Sequence, residues 1–136
     1  MMATIRESLI VQQERDLVVC RNRVKEVAVK IGMGIVNQTK LITATSEIAR
    51  NMLIYGGGGV MRLEVITRGK QEGIQLVFED KGPGIADIQK AMQDGFTTGR
   101  TLGMGLPGAK RLVNEFTIQS TFGKGTTVKL LKWKNG

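Results

Sequence analysis

The stretch LGMGLPGAKRLV, Leu102 to Val113, decides how the chain is read. It holds G-x-G-x-x-G followed at once by a helix-like run, a string that unrelated nucleotide-binding designs share. A dinucleotide-binding fold needs a strand before the first glycine and an acidic residue about twenty positions on to hold a ribose. Here the polar loop GFTTGRT precedes the glycines, and no acidic residue follows Glu115. A protein-kinase glycine loop opens a far longer chain with V-A-I-K and H-R-D elements, which are absent here. Both readings fail. Taken alone, the string is a glycine-rich turn that caps a helix.

The surrounding pattern alternates between strand and helix periods. TIRESLIVQ reads as an opening strand. From Leu17, apolar or small residues recur at Cys20, Val24, Val27, Ala28 and Ile31, a helical spacing that Gly32-Met33-Gly34 ends. Leu41, Ile48, Met52 and Tyr55 mark a second helix, halted by the glycines 56–59. VMRLEVITR and GIQLVFED read as strands about the turn GKQEG. A short helix is expected over ADIQKAMQDG and another over PGAKRLVNEF, and TIQSTF and TTVKLLKWK form a closing hairpin about GKG. The expected fold is an α/β (α+β) two-layer sandwich, with a mixed, largely antiparallel sheet and helices on one face. With 136 residues, 41% of them hydrophobic, the chain suits a single domain over residues 1–136.

Composition narrows the function. There is no histidine, which removes a histidine nucleophile, a histidine base and any imidazole zinc site. The single Cys20 excludes an internal disulfide and suits a reducing compartment. Apolar runs fall short of a membrane span and no signal-peptide pattern opens the chain, so the expected address is the cytoplasm, without a membrane partner. The net charge of +8 gathers late, in Lys124, Lys129, Lys132 and Lys134. Such a tail suits nucleic acid, bound phosphate or an acidic protein, and equally a solvated strand face. KEVAVKIGMGIVNQTKLI approaches a helix-turn-helix pattern, yet Gln38 takes an apolar position and the second helix is too long for a recognition helix. Nucleic acid is therefore not the expected partner.

Three further segments carry chemistry. In SEIARN, Glu47 and Asn51 stand four apart and project from one side of a helix, offset from its apolar stripe. A carboxylate there can take a proton and a carboxamide oxygen can bind a hard cation, although an ordinary polar helix face has the same composition. In GIQLVFED, Asp80 ends the inward row Ile74, Leu76, Phe78. A carboxylate in that row needs partners. Either it bonds its own turn, or it accepts from a ligand amine such as that of adenine, with Gly82 and Gly84 leaving room for a flat ring. In FGKGTT, Gly123 and Gly125 tighten a hairpin or line a pocket, where the Thr126 hydroxyl would join Asp80.

SEIARN, EDKGPGI, GMGLPG and GKGTT, in this order and spacing, resemble the four nucleotide-binding boxes of the GHKL (Bergerat-fold) ATP-binding superfamily. Within it, the whole chain resembles the small anti-sigma-factor serine/threonine kinases of the RsbT type, the switch kinases of stressosome partner-switching systems. The resemblance implies ATP and Mg²⁺, with Asn51 coordinating the metal and Glu47 as general base. It implies that Asp80, helped by Gly82, Gly84 and Thr126, holds the adenine. Gly103, Met104, Gly105, Leu106 and Gly108 would present backbone N–H groups to phosphate, in keeping with a helix N-terminus whose first turn accepts Pro107. Residues 86–102 would form a lid, from which Arg100 would stabilise charge on the transferring phosphoryl group. The implied substrate is a STAS-domain anti-sigma antagonist or stressosome scaffold protein, and the implied second partner a PP2C-type phosphatase. The alternative is an ATP-binding anti-sigma factor or interaction module with little turnover.

Overall fold

A computed structural model describes residues 5–82 and 105–136. The elements follow in the order β1 (Arg6–Val11), α1 (Glu14–Lys30), α2 (Ile35–Gly56), β2 (Gly59–Arg68), β3 (Gln71–Asp80), α3 (Gly105–Leu112), β4 (Glu115–Thr121) and β5 (Gly125–Trp133). The expected short helix at ADIQKAMQDG and the lid lie outside the described residues.

The five strands form one sheet in the order β1-β2-β3-β5-β4, and every neighbouring pair is antiparallel. The mixed sheet expected from the sequence is thus corrected among the described strands. β3 and β4 do run in the same direction, but β5 lies between them and pairs antiparallel with both, so no parallel ladder forms. Two other boundaries differ. The final helix stops at Leu112 and β4 begins at Glu115, earlier than TIQSTF. The cause is Asn114, whose N–H donates to Leu131 O at 2.9 Å and whose Oδ1 accepts from Trp133 N–H at 2.9 Å. That fork draws the chain into the ladder. The β2–β3 turn also shrinks to Gly69-Lys70, because pairing continues out to Arg68↔Gln71.

Local chemistry sets the helix ends. Asp16 accepts the N–H groups of Gln12 and Gln13 at 2.9 and 3.1 Å and so fixes the start of α1. Between α1 and α2, the buried Gln38 donates to Met33 O at 2.8 Å and locks the turn. The polar residue that spoils a helix-turn-helix pattern is thus a satisfied tether. α2 stops at Gly57, whose φ of +74° is left-handed, and Gly58 N–H closes onto Met52 O.

The core fills the space between the sheet and the helices. Leu17, Val24 and Val27 of α1 and Leu41, Ile48 and Met52 of α2 meet Met61, Leu63, Leu76, Phe78 and Leu130 of the sheet. The opposite sheet face carries charge: Arg6–Glu64, Arg62–Glu79 and Arg68–Glu115 pair across strands, and Arg68 also lies 5.5 Å above the Trp133 ring.

Arg23 on α1 forks onto Glu7 of β1, with Nη2 to Oε2 at 2.9 Å, and these hydrogen bonds hold the Glu7 carboxyl below its ordinary value of 4.5. A lowered carboxylate stabilises the fold above its unfolded value, and that share is lost as the pH falls through the folded one. The pair is part-exposed, so Glu7→Gln is expected to cost about 0.5–1 kcal/mol at pH 7. Urea titrations should show the gap to wild type closing as the pH drops below 4.5.

Candidate functional site

The inward row of β3 leads to the site. Ile74, Leu76 and Phe78 are buried, and Asp80 ends the row half-buried, as the alternation predicts. Its Oδ1 accepts from Gly82 N–H at 2.8 Å and from Thr126 N–H at 3.3 Å. Both alternatives left open by the sequence therefore meet at one carboxylate. Oδ1 bonds the local turn and β5, while Oδ2, among the described residues, keeps its lone pairs for a further donor.

α2 closes this corner from below. A methyl group on Gly56 would lie 2.5 Å from Asp80 Cγ, and one on Gly82 would lie 2.6 Å from Gly56 Cα. Gly125 is equally confined, because a Cβ there would collide with the Asp80 carbonyl. Gly56 escapes sequence reading, since GGGG looks like a helix stop. The signal lies in its first member, which is the last residue of α2 rather than part of the turn. Ser120 also escaped notice. It is the cross-strand partner of Thr126, and their hydroxyls are 2.8 Å apart, fixing where Thr126 Oγ1 stands beside Asp80. The register about the GKG turn would have found it.

Glu47 and Asn51 lie one turn apart on α2, both half-buried. A methyl group on Gly105 would stand 3.3 Å from Asn51 Nδ2, so the first residue of α3 touches this side chain. The glycine string at the start of α3 and the SEIARN segment are thereby brought together. Glu47 Oε2 is buried and, among the described residues, meets no hydrogen-bond partner. An orphaned carboxylate oxygen is costly unless a ligand supplies a donor. Gly105, Pro107 and Gly108 are buried and Leu106 is half-buried, with Pro107 in the first turn as expected. Gly84, Arg100, Gly103 and Met104 lie outside the described residues.

Among the described residues no three His, Cys, Asp or Glu side chains gather as a metal cage. A Mg²⁺ ion needs no such cage. It is held by one or two protein oxygens together with substrate phosphates and water, and the Asn51 carboxamide fits that demand. An open depression lined by Arg6, Ser8, Arg62, Glu64, Gln75 and Val77 lies on the opposite sheet face, away from Asp80. No helix among the described residues is long and apolar enough to cross a membrane.

Known proteins resemble this chain in sequence and in fold. Residues 36–135 match the histidine kinase-, DNA gyrase B- and HSP90-like ATPase family. The serine/threonine-protein kinase RsbT of Bacillus subtilis is 43% identical over 123 residues, covering 90% of this chain and 92% of that protein. An anti-sigma F factor of a Thermoanaerobacter species is 36% identical over 97 residues, covering 67% of this chain and 66% of its own. In fold, the chain resembles the crystal structure of the RsbU and RsbW domains of a Mycobacterium tuberculosis protein, with a TM-score of 0.66 at 19% identity. That match takes in 96% of this chain and 32% of the larger one. With a family match over residues 36–135 and relatives of this identity and coverage, the chain belongs to the histidine kinase-, DNA gyrase B- and HSP90-like ATPase family, in its branch of serine/threonine-protein kinases and anti-sigma factors.

Proposed function

We propose that the chain transfers the γ-phosphoryl group of ATP to a serine or threonine hydroxyl of a STAS-domain protein. Once free of that partner, it engages a PP2C-type phosphatase in the cytoplasm. The observation that supports transfer most directly is the buried, orphaned oxygen of Glu47 one helical turn from Asn51. Glu47 accepts the proton of the substrate hydroxyl, the hydroxyl oxygen bonds to the γ-phosphorus, and the bond to the β-phosphate oxygen breaks to release ADP. Asn51 would hold Mg²⁺, which when bound would neutralise phosphate charge. The backbone of residues 103–108 receives the phosphates at the start of α3, and Arg100 supplies charge at the transferring group.

Asp80 selects adenine. With Oδ1 committed to Gly82 and Thr126, Oδ2 accepts from the exocyclic amine. A 6-oxo purine would turn a lone pair toward it and be refused. Gly82, Gly84 and Thr126 complete the ring's surroundings.

Two variants separate binding from chemistry. In Asp80→Asn the amide oxygen keeps the two backbone N–H bonds and the amide nitrogen meets the adenine amine, donor against donor. Losing a charge-assisted bond is worth about 1.5–3 kcal/mol, so calorimetry should show ATP affinity falling about 10- to 100-fold. Unchanged affinity would take Asp80 out of the site.

Glu47→Gln preserves shape while removing the base. It should bind Mg²⁺–ATP as wild type does and lose about 10²- to 10⁴-fold in phosphoryl transfer, followed with radiolabelled ATP. Full transfer by this variant would refute the assigned base. Tight nucleotide binding without transfer by wild type to any STAS-domain protein would instead favour an anti-sigma factor that sequesters its partner, as the likeness to the anti-sigma F factors allows.

A further inference from the structure

α2 carries two stripes. One is buried: Gln38, Leu41, Ala44, Thr45, Ile48, Ala49 and Met52 face the core. The other runs through Val36, Lys40, Thr43, Glu47 and Ile54. At about 100° per residue these five positions fall within an arc of roughly 60°, and Val36 and Ile54, five turns apart, point the same way. Val36 is 64% exposed and Ile54 57%, and Lys40 and Thr43 are exposed between them. Two uncovered aliphatic side chains thus bracket Glu47, about 16 Å away on one side and about 10 Å on the other. That span fits within the face of a standard protein interface, about 800 Å² per partner.

We infer that this stripe is the docking surface for the protein substrate, which lies along α2 with its hydroxyl over Glu47. The inference rests on the kinase reading above and names the surface that reading leaves open. A small-molecule acceptor would need only the base. A folded protein must also lay its surface on whatever borders the base, and on α2 the border is Val36, Thr43 and Ile54.

Charge specifies the partner further. Among the described residues the ion-paired carboxylates pair with other cations and none with the exposed Lys40, while Lys132, held down mainly by its own burial, adds a second positive charge near it. An acidic side chain on the substrate relieves that crowding. The fitting partner is therefore a folded protein whose Ser or Thr is flanked by aliphatic side chains, with an Asp or Glu placed toward the N-terminal half of α2. The exposed Val18, Val19 and Val29 belong to α1, not to the helix that carries Glu47.

The test begins with the wild-type chain, radiolabelled Mg²⁺–ATP and the purified STAS-domain proteins of the same organism, assayed one at a time. The protein that is labelled becomes the probe. Val36→Asp is a mild change for the fold, because the position is exposed and an acidic residue suits the first turn of a helix. It is expected to raise the KM for the probe about tenfold, the effect of losing one well-packed interface side chain, with kcat and ATP affinity within about twofold. Ile54→Ser should act in the same direction, Lys40→Glu likewise, and Val19→Asp on α1 should leave KM unchanged. Unaltered KM in both Val36→Asp and Ile54→Ser would overturn the docking surface and leave the kinase reading standing. A rise confined to Val19→Asp would move the surface to α1 and overturn it as well. Labelling of no STAS-domain protein by wild type would bring down the functional reading and the docking surface together.

Discussion

Everything at the site depends on how closely α2 is allowed to approach the end of β3. Gly56 closes the helix directly beneath the Asp80 carboxyl, and Gly82 comes down onto Gly56 from the other side. Side chains at either glycine would push helix and strand apart. Asn51, five residues before Gly56, and Glu47, one turn earlier still, are carried by the same rigid helix. A shift of α2 at its end would therefore move the proposed base and the proposed metal ligand together, away from the proposed adenine acceptor. The spacing between chemistry and recognition is set by two missing β-carbons rather than by any strong bond.

The hydrogen-bond inventory divides the site in the same way. At Asp80, one carboxylate oxygen is satisfied by Gly82 and Thr126 and the other, among the described residues, accepts from no donor. At Glu47, the buried Oε2 has nothing to accept from among the described residues. Elsewhere on α2 the buried polar groups are cared for: Thr45 bonds Leu41 O at 2.7 Å, and Gln38 bonds Met33 O. Neglect at one position on an otherwise satisfied helix points to a ligand donor, because a buried acceptor left without one is costly. Stability is given up where, on the proposed reading, a substrate hydroxyl would restore it.

Much of this was legible in the sequence, for reasons tied to particular residues. The period-two row Ile74, Leu76, Phe78 fixes the face on which Asp80 lies, whatever the neighbouring strands do. The four-residue spacing of Glu47 and Asn51 fixes their common side of a helix. Local rules fail where distant contacts decide. Asn114 sits in a run with helical composition, yet its bonds to Leu131 and Trp133 pull it into the ladder. Gly56 reads as one more glycine in a stop signal until β3 is placed above it. The insertion of β5 between β3 and β4, which removes the parallel pair expected of a mixed sheet, is a matter of topology that no single segment encodes.

The two faces of the molecule also follow different rules, and α2 shows why. On the outer sheet face, arginines find carboxylates on other strands, two of them on the adjacent strand and Arg68 on β4, so much of that surface's charge is already paired. α2 cannot settle its surface in this way. Its core stripe is fully spent on packing, and towards its neighbours Arg50 reaches Glu14 of α1 while Asn37 donates to Lys134 O. The remaining stripe mixes exposed aliphatics, the exposed Lys40 and a carboxylate whose buried oxygen, among the described residues, meets no donor. A helix used on one side only would drift toward charged residues on the other, since these keep it soluble at no cost to packing. That α2 retains Val36 and Ile54 in the open, in line with Glu47, is what a helix looks like when its solvent side is also a working surface.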